Sequence, residues 1–437
     1  MGTWALPTLA ILLMGYGAFS ARLQTTPITQ AMVFVTAGLL VGNQVLDLVD
    51  LETANRFVLH LAEATLALVL FTDAVRVDVG RLRREARVPR RLLGVGLPLT
   101  IACGTVVALV VFPDLDVWTA AVLATILAPT DAALGQPVVS NLRLPSRIRQ
   151  GLNVESGLND GVCVPLLIIF LTVAETEEGV VQLEPVRVIL EQIAFGALGG
   201  VLAGILGAFV LRGATRRGWI TVTWQQVIGL VTPALAYGSA VALGGSGFIA
   251  AFVAGLVFSA VMLAGHAEPA TALAEQSGEL LNATTFLVFG AVLLGPALAE
   301  LDWRIAAYAA LSLTLVRMLP VLLALTGTGL RAVTVVFLGW FGPRGLASIV
   351  FGLLVLEESA LPERSQLLTT VTLTVALSVV LHGLTAWPGA NRYADWYEET
   401  SEGRLLPESE PVPERRTRHS SGRISSVAGD PVREQDG

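Results

Sequence analysis

The chain has 437 residues, of which 54% are hydrophobic and only 14% charged, with a formal net charge of −7. Soluble domains carry about a quarter of their residues as charge, and a hydrocarbon core roughly 30 Å thick needs about 20 apolar residues per spanning helix. Composition therefore excludes a soluble domain, no nucleic-acid partner is expected, and the fold class to expect is an all-α polytopic membrane protein.

Apolar stretches separated by short polar breaks mark about thirteen transmembrane helices. Their approximate limits are 2–21, 27–46, 56–75, 92–112, 117–140, 152–174, 187–211, 223–243, 246–265, 279–299, 304–327, 332–356 and 366–387. The first stretch ends in Ala18-Phe19-Ser20-Ala21, which imitates a signal-peptide cleavage site. No basic region precedes it, so it reads as the first span. Span 3 is interrupted by Glu63, and span 9 follows span 8 after Gly244-Gly245. Cys103 and Cys163 lie within apolar runs and read as small packing residues. His60, His266, His382 and His419 are scattered. Neither a cofactor nor a histidine-based catalytic centre is expected.

Arginine placement gives an independent orientation. The break after span 3 carries Arg76, Arg81, Arg83, Arg84, Arg87, Arg90 and Arg91, that after span 5 Arg143, Arg147 and Arg149, and that after span 7 Arg212, Arg216 and Arg217. Breaks on the other side are acidic: Asp114 and Asp116, then Glu175, Glu177 and Glu178, then Glu300 and Asp302, then Glu357 and Glu358. The positive-inside rule makes the arginine breaks cytoplasmic, with the N-terminus outside and the C-terminus inside a cell membrane. An odd number of spans requires the same. Residues 1–390 read as one transmembrane domain and 391–437 as a disordered cytoplasmic tail, since 400–437 is rich in Glu, Arg, Ser and Pro.

Ionisable groups within spans are costly and mark functional candidates. Five stand out: Asp131, Glu155, Asp160, Arg317 and Arg344. Two arginines against three carboxylates leave one negative charge in surplus, which a cation site needs. Span 6 contains Glu155-Ser156-Gly157-Leu158-Asn159-Asp160-Gly161, where Ser156 and Asp160 share a helix face, with Glu155 and Asn159 beside them. This stripe offers carboxylate, hydroxyl and amide oxygens, the ligands that hard cations prefer. Gly157 and Gly161 allow close helix approach.

Span 5 contains Ala128-Pro129-Thr130-Asp131, and span 12 contains Gly342-Pro343-Arg344-Gly345. Proline removes a donor, so both helices should break in mid-membrane. Two broken, charged spans related by a seven-span offset point to inverted repeats with a binding site between them. Asp131 then suits the positive N-terminus of a half-helix and Arg344 a negative C-terminus, as structural groups. Arg317 needs a partner, and Glu155 is the candidate, which leaves Asp160 to meet a cation. The alternative pairs Arg317 with Asp160 itself.

These four motifs, with Arg317-Met318-Leu319-Pro320-Val321 as the third in order, resemble the NhaP-like branch of the monovalent cation/proton antiporters over about residues 5–390. The chain departs at Ala132, where that family often has proline. The resemblance implies thirteen helices, a homodimer, a core moving against a dimerisation domain, and no cofactor beyond the transported ions. It implies that Asp160 carries sodium or the proton, with sodium held at Asp160, Ser156 and Thr130 and Glu155 supporting the site. It also implies that Asn159 marks electroneutral exchange and that Arg317 pairs with Glu155. The expected activity is sodium or lithium exchange for protons. Potassium/proton exchange is the alternative, and an intramembrane hydrolase with Ser156 as nucleophile is the remote one.

Overall fold

The computed structural model describes residues 5–23, 26–42, 45–46, 54–77, 87–176, 183–262, 268–401 and 406–409. Arg81, Arg83, Arg84, Glu177, Glu178, His266 and His419 lie outside them. The described residues form helices and turns, with no strand among them. In chain order come α1 (Ala5–Leu23), α2 (Gln30–Val41), α3 (Ala54–Arg76) and α4 (Arg87–Val111), the last with a π-helical turn at Leu92–Gly96. Next are α5 (Val117–Ile126), α6 (Gln136–Val139), α7 (Ser146–Ala174), α8 (Leu183–Arg216), α9 (Val222–Ala242) and α10 (Gly247–Met262). The last are α11 (268–299), α12 (Trp303–Ala324, interrupted at Thr314), α13 (Ala332–Trp340), α14 (Leu346–Glu358) and α15 (Arg364–Ser401).

A helical segment falls in each of the thirteen apolar stretches. By length and composition, seven of the described helices can cross a membrane unaided. The starts are set by local chemistry. Asp116 accepts from the amides of Trp118 and Thr119 at 2.7 and 3.1 Å, and Asp302 accepts from Trp303 at 2.7 Å, each satisfying donors that a helix start leaves unpaired. Asp116 is partly buried, which works to raise its pKa. The hydrogen bonds from Thr119 and Trp118 together outweigh that and hold it below the usual carboxylate range.

Two groups of helices pack side by side. In one, α8 lies against α9 and α10, α10 against α3, and α11 against α2, α3 and α9. In the other, α4 packs on α5 and α12, α5 on α7, and α15 on α12 and α14. Contacts of α3 with α7 and α14 join the groups.

Two expectations need correction. The boundary at residue 390 falls inside α15, which continues to Ser401 and is followed by a turn at Pro407–Ser409. Ala386, Ala390, Tyr393 and Ala394 form a buried stripe at helical spacing, and Tyr393 stacks on Phe337 with ring centroids 4.2 Å apart. Average composition conceals such a stripe. Glu408 is fully buried, and its Oε1 accepts from the Arg331 amide and the Thr334 hydroxyl, both at 2.9 Å. It thereby caps α13 from a distant part of the chain. Residues 410–437 lie outside the described set. The second correction concerns span 5: past its break only Gln136–Val139 returns to helix, because 127–135 turns repeatedly around Pro129 and the Asp131 carboxylate.

Candidate functional site

The two broken helices meet at their breaks. α5 ends at Ile126 and α13 at Trp340, and the unwound segments cross. The Asp131 amide donates to the Pro343 carbonyl at 2.8 Å. The carboxylate of Asp131 accepts from the Leu346 amide at 3.2 Å, at the N-terminus of α14, and from the Ala133 amide at 2.8 Å. Arg344 is fully buried, and its Nη1 donates to the carbonyls of Ala128 and Pro129 at 3.0 and 3.2 Å, just past the end of α5. The negative group thus stands at the positive helix end and the positive group at the negative one. Gly345 is indispensable to this crossing, since a Cβ there would run into the Asp131 carboxylate.

α7 supplies the polar stripe. Glu155, Ser156, Asn159 and Asp160 are all buried on it, Asp160 at 9% exposure. Ser156 Oγ donates to the Thr130 carbonyl at 2.5 Å, and Asn159 Nδ2 donates to Thr130 Oγ1 at 2.7 Å. The break in span 5 is therefore stitched to α7 at Thr130. Asn159 Oδ1 is buried and accepts from no described residue. A cavity of about 10 Å³, of the order of one water molecule, lies among Thr130, Asp131, Ser156 and Pro343.

Arg317 on α12 meets Glu155 two-pronged, with Nη1 to Oε1 at 2.6 Å and Nη2 to Oε2 at 3.0 Å. Both side chains are almost entirely buried. Gly342, in the break of span 12, packs so closely on the Arg317 guanidinium that a Cβ would overlap it. The structure thus joins Thr130, Ser156 and Asn159, joins Glu155 with Arg317, and joins Asp131 and Arg344 across the breaks.

Asp73 is a residue that the sequence reading missed. Its Cβ lies where a side chain at Gly157 would touch it at 3.3 Å, which puts α3 against the stripe one turn from Asp160. Asp73 lies 3.9 Å from Arg76, which pairs with Glu275 at 2.6 Å. An ionisable residue within the apolar run Val69-Leu70-Phe71-Thr72-Asp73-Ala74 carries the same signal that singled out the other five. A larger cavity of about 1050 Å³ reaches Val164, one turn beyond Asp160 on α7, and its walls include His60, Glu63 and Glu175.

The family described as "Sodium/hydrogen exchanger, transmembrane" matches residues 8–390. The chain belongs to the sodium/hydrogen exchanger family. Its curated relatives include a "Na(+)/H(+) antiporter" of Schizosaccharomyces pombe, 28% identical over 158 residues (35% of this chain, 34% of the relative). A "Sodium, potassium, lithium and rubidium/H(+) antiporter" of Bacillus subtilis is 29% identical over 212 residues (47% and 30%). A "K(+)/H(+) antiporter NhaP" of Alkalimonas amylolytica is 25% identical over 365 residues (82% and 61%). The matched part of the chain thus spans 34% and 30% of the first two relatives, about a third of each. Among solved structures, the sodium proton antiporter MjNhaP1 from Methanocaldococcus jannaschii shares the fold, with a TM-score of 0.70 at 18% identity, covering 89% of this chain and 98% of that one.

Among the described residues, the Ser156 hydroxyl donates to the Thr130 carbonyl, while His382 contacts Ser378 and Trp340.

Proposed function

We propose that this chain is a secondary active antiporter exchanging sodium or lithium for protons, one for one, by competition of the two for Asp160. The observation that carries the reading is the two-pronged Glu155–Arg317 pair. It meets the buried arginine charge beside the stripe with Glu155, so that Arg317 does not serve as the counter-charge of Asp160. Sodium is then held by Asp160, Ser156 and Thr130, and the buried Asn159 Oδ1 adds an oxygen close by. Asp160 takes either a proton or a cation, and the loaded core crosses in both cases with the same charge. Asn159, as a neutral amide, leaves a single exchangeable charge per cycle. Asp131, Arg317 and Arg344 act as charge-compensating groups for the half-helix ends and for Glu155.

The two helix groups supply the scaffold and the moving core, with the scaffold forming a homodimer within the lipid. The protein lies in the cell membrane with its N-terminus outside and its C-terminus in the cytoplasm, as the arginine breaks imply. The large cavity toward Val164 is the outer approach to Asp160. A second reading, potassium/proton exchange, draws support from the Alkalimonas relative, which is described as a K(+)/H(+) antiporter.

Dye-quench transport in everted vesicles tests both. Dequenching by sodium and lithium but not potassium, indifferent to an imposed potential, is the expected result. Dequenching by potassium alone supports the second reading, and strong dependence on potential contradicts one-for-one exchange.

A further inference from the structure

His382 is a buried titratable residue for which the exchange reading has no use, and its contacts give it one. It lies on α15 one turn after Ser378, with exposures of 1% and 0%. Its Nε2 stands 3.0 Å from the carbonyl of Trp340, the last residue of α13. Its Nδ1 stands 3.1 Å from Ser378 Oγ, and that oxygen accepts from the Arg344 amide at 2.7 Å. Trp340 O and Arg344 N flank the break of span 12, where the missing helix turn leaves backbone groups short of their regular partners; Trp340 O also accepts from the Gly342 amide at 2.9 Å. One ordered chain satisfies both ends: Arg344 N–H to Ser378 Oγ, Ser378 O–H to His382 Nδ1, and His382 Nε2–H to Trp340 O. An imidazole protonated on Nε2 fits these three links, and its Nδ1 also lies 3.1 Å from the Ser378 carbonyl. The Trp340 ring lies 5.2 Å from the imidazole, and its Nε1 donates to Thr385 at 3.0 Å, fixing the same end.

The first repeat holds the matching arrangement. Pro129-Thr130 and Pro343-Arg344 open the two breaks alike. Ser156 Oγ on α7 donates to the backbone carbonyl of Thr130, and Ser378 Oγ on α15 accepts from the backbone amide of Arg344. Four residues after each serine comes a titratable group, Asp160 in one repeat and His382 in the other.

We infer that Ser378 and His382 are positioning residues for exchange, the counterparts of Ser156 and Asp160 in the second repeat. They splint the break of α13 and α14 and hold Arg344 against the carbonyls at the end of α5. The second repeat thereby supplies a fixed brace where the first supplies the exchanging carboxylate. The pair does not touch the cation, so it acts on the rate of exchange rather than on sodium affinity.

The inference rests on the exchange reading, and reconstituted protein separates the two. Absence of sodium-driven proton movement in the wild type overturns the exchange reading itself. Given wild-type exchange, Ser378→Ala and His382→Ala should each lower the maximal rate per folded protein about tenfold, as expected when a buried backbone group loses a hydrogen bond. Half-saturating sodium should stay within about twofold, because uniform binding is untouched. Ser378→Thr and His382→Gln, which keep the hydroxyl and the Nε2 donor, should recover most of the rate. The double alanine variant should be no slower than the worse single one. Wild-type rates in both alanine variants, or a loss confined to sodium affinity, overturn the inference. Should His382→Ala not fold, His382→Asn replaces it, being too short to reach Trp340; equal rates for His382→Asn and His382→Gln then count against the splint.

Discussion

Replacing Glu155 by Gln removes the carboxylate that receives Nη1 and Nη2 of Arg317 at 2.6 and 3.0 Å, in a site where the two side chains are 3% and 5% exposed. The guanidinium that remains has lost its counter-charge without regaining water. Breaking a buried pair from one side costs about 3–5 kcal/mol, much of it the burden of the stranded charge. Arg317→Gln strands the carboxylate and should cost a similar amount. The double variant removes both charges together and should recover much of the loss, so the single effects will not add. Melting temperatures of the purified single and double variants, measured in detergent without sodium, give the cycle. Additive losses for Glu155 with Arg317, or a rescue of Arg317→Gln by Asp160→Asn instead, would refute the assignment. The role given to Asp160 would fall with it.

Gly345→Ala should unfold or inactivate the protein, because its Cβ would enter the space of the Asp131 carboxylate at the start of α14; normal melting and exchange would contradict the crossing geometry. Glu408→Ala removes the remote cap of α13 and should lower stability by about 1 kcal/mol, the usual worth of an N-cap, as read by thermal melting. On the exposed surface, hydrogen bonds from Arg143 hold the Glu398 carboxyl below the usual carboxylate range. A lowered pKa contributes above the unfolded value and is lost as pH falls through the folded one. The contact is therefore constant from about pH 6 to 9, and Glu398→Gln should leave the pH profile of exchange unshifted across that range.

Charge arithmetic made the centre of the site legible. Two arginines and three carboxylates within apolar runs made Glu155 the candidate partner of Arg317, with Asp160 as the alternative, and proline beside a charge predicted both breaks. Helical spacing put Ser156, Asn159 and Asp160 on one stripe, but their shared attachment to Thr130 depends on how α5 approaches α7. No periodicity encodes that approach. Asp73 was equally visible as a charge in a span, and its significance comes from its position against Gly157. His382 looked like one of four scattered histidines because Trp340, which its Nε2 meets, and Arg344, which Ser378 links to it, lie about 40 residues away in sequence. The helical extension to Ser401 was hidden by composition, since polar residues alternate with the buried stripe through Tyr393. The four-residue helix after the first break reflects the turn held by Asp131 Oδ1, a local hydrogen bond that competes with helix.

The central claim is that Asp160 exchanges a proton for a cation, and proton release on sodium binding tests it most directly. Purified protein in weakly buffered detergent solution, at a pH where Asp160 carries its proton, should release about one proton per chain on adding sodium chloride. Choline chloride at the same ionic strength should release none. Folded Asp160→Asn keeps the side-chain shape but has no titratable group, and it should release none with either salt. Undiminished sodium-dependent release from folded Asp160→Asn would contradict the account.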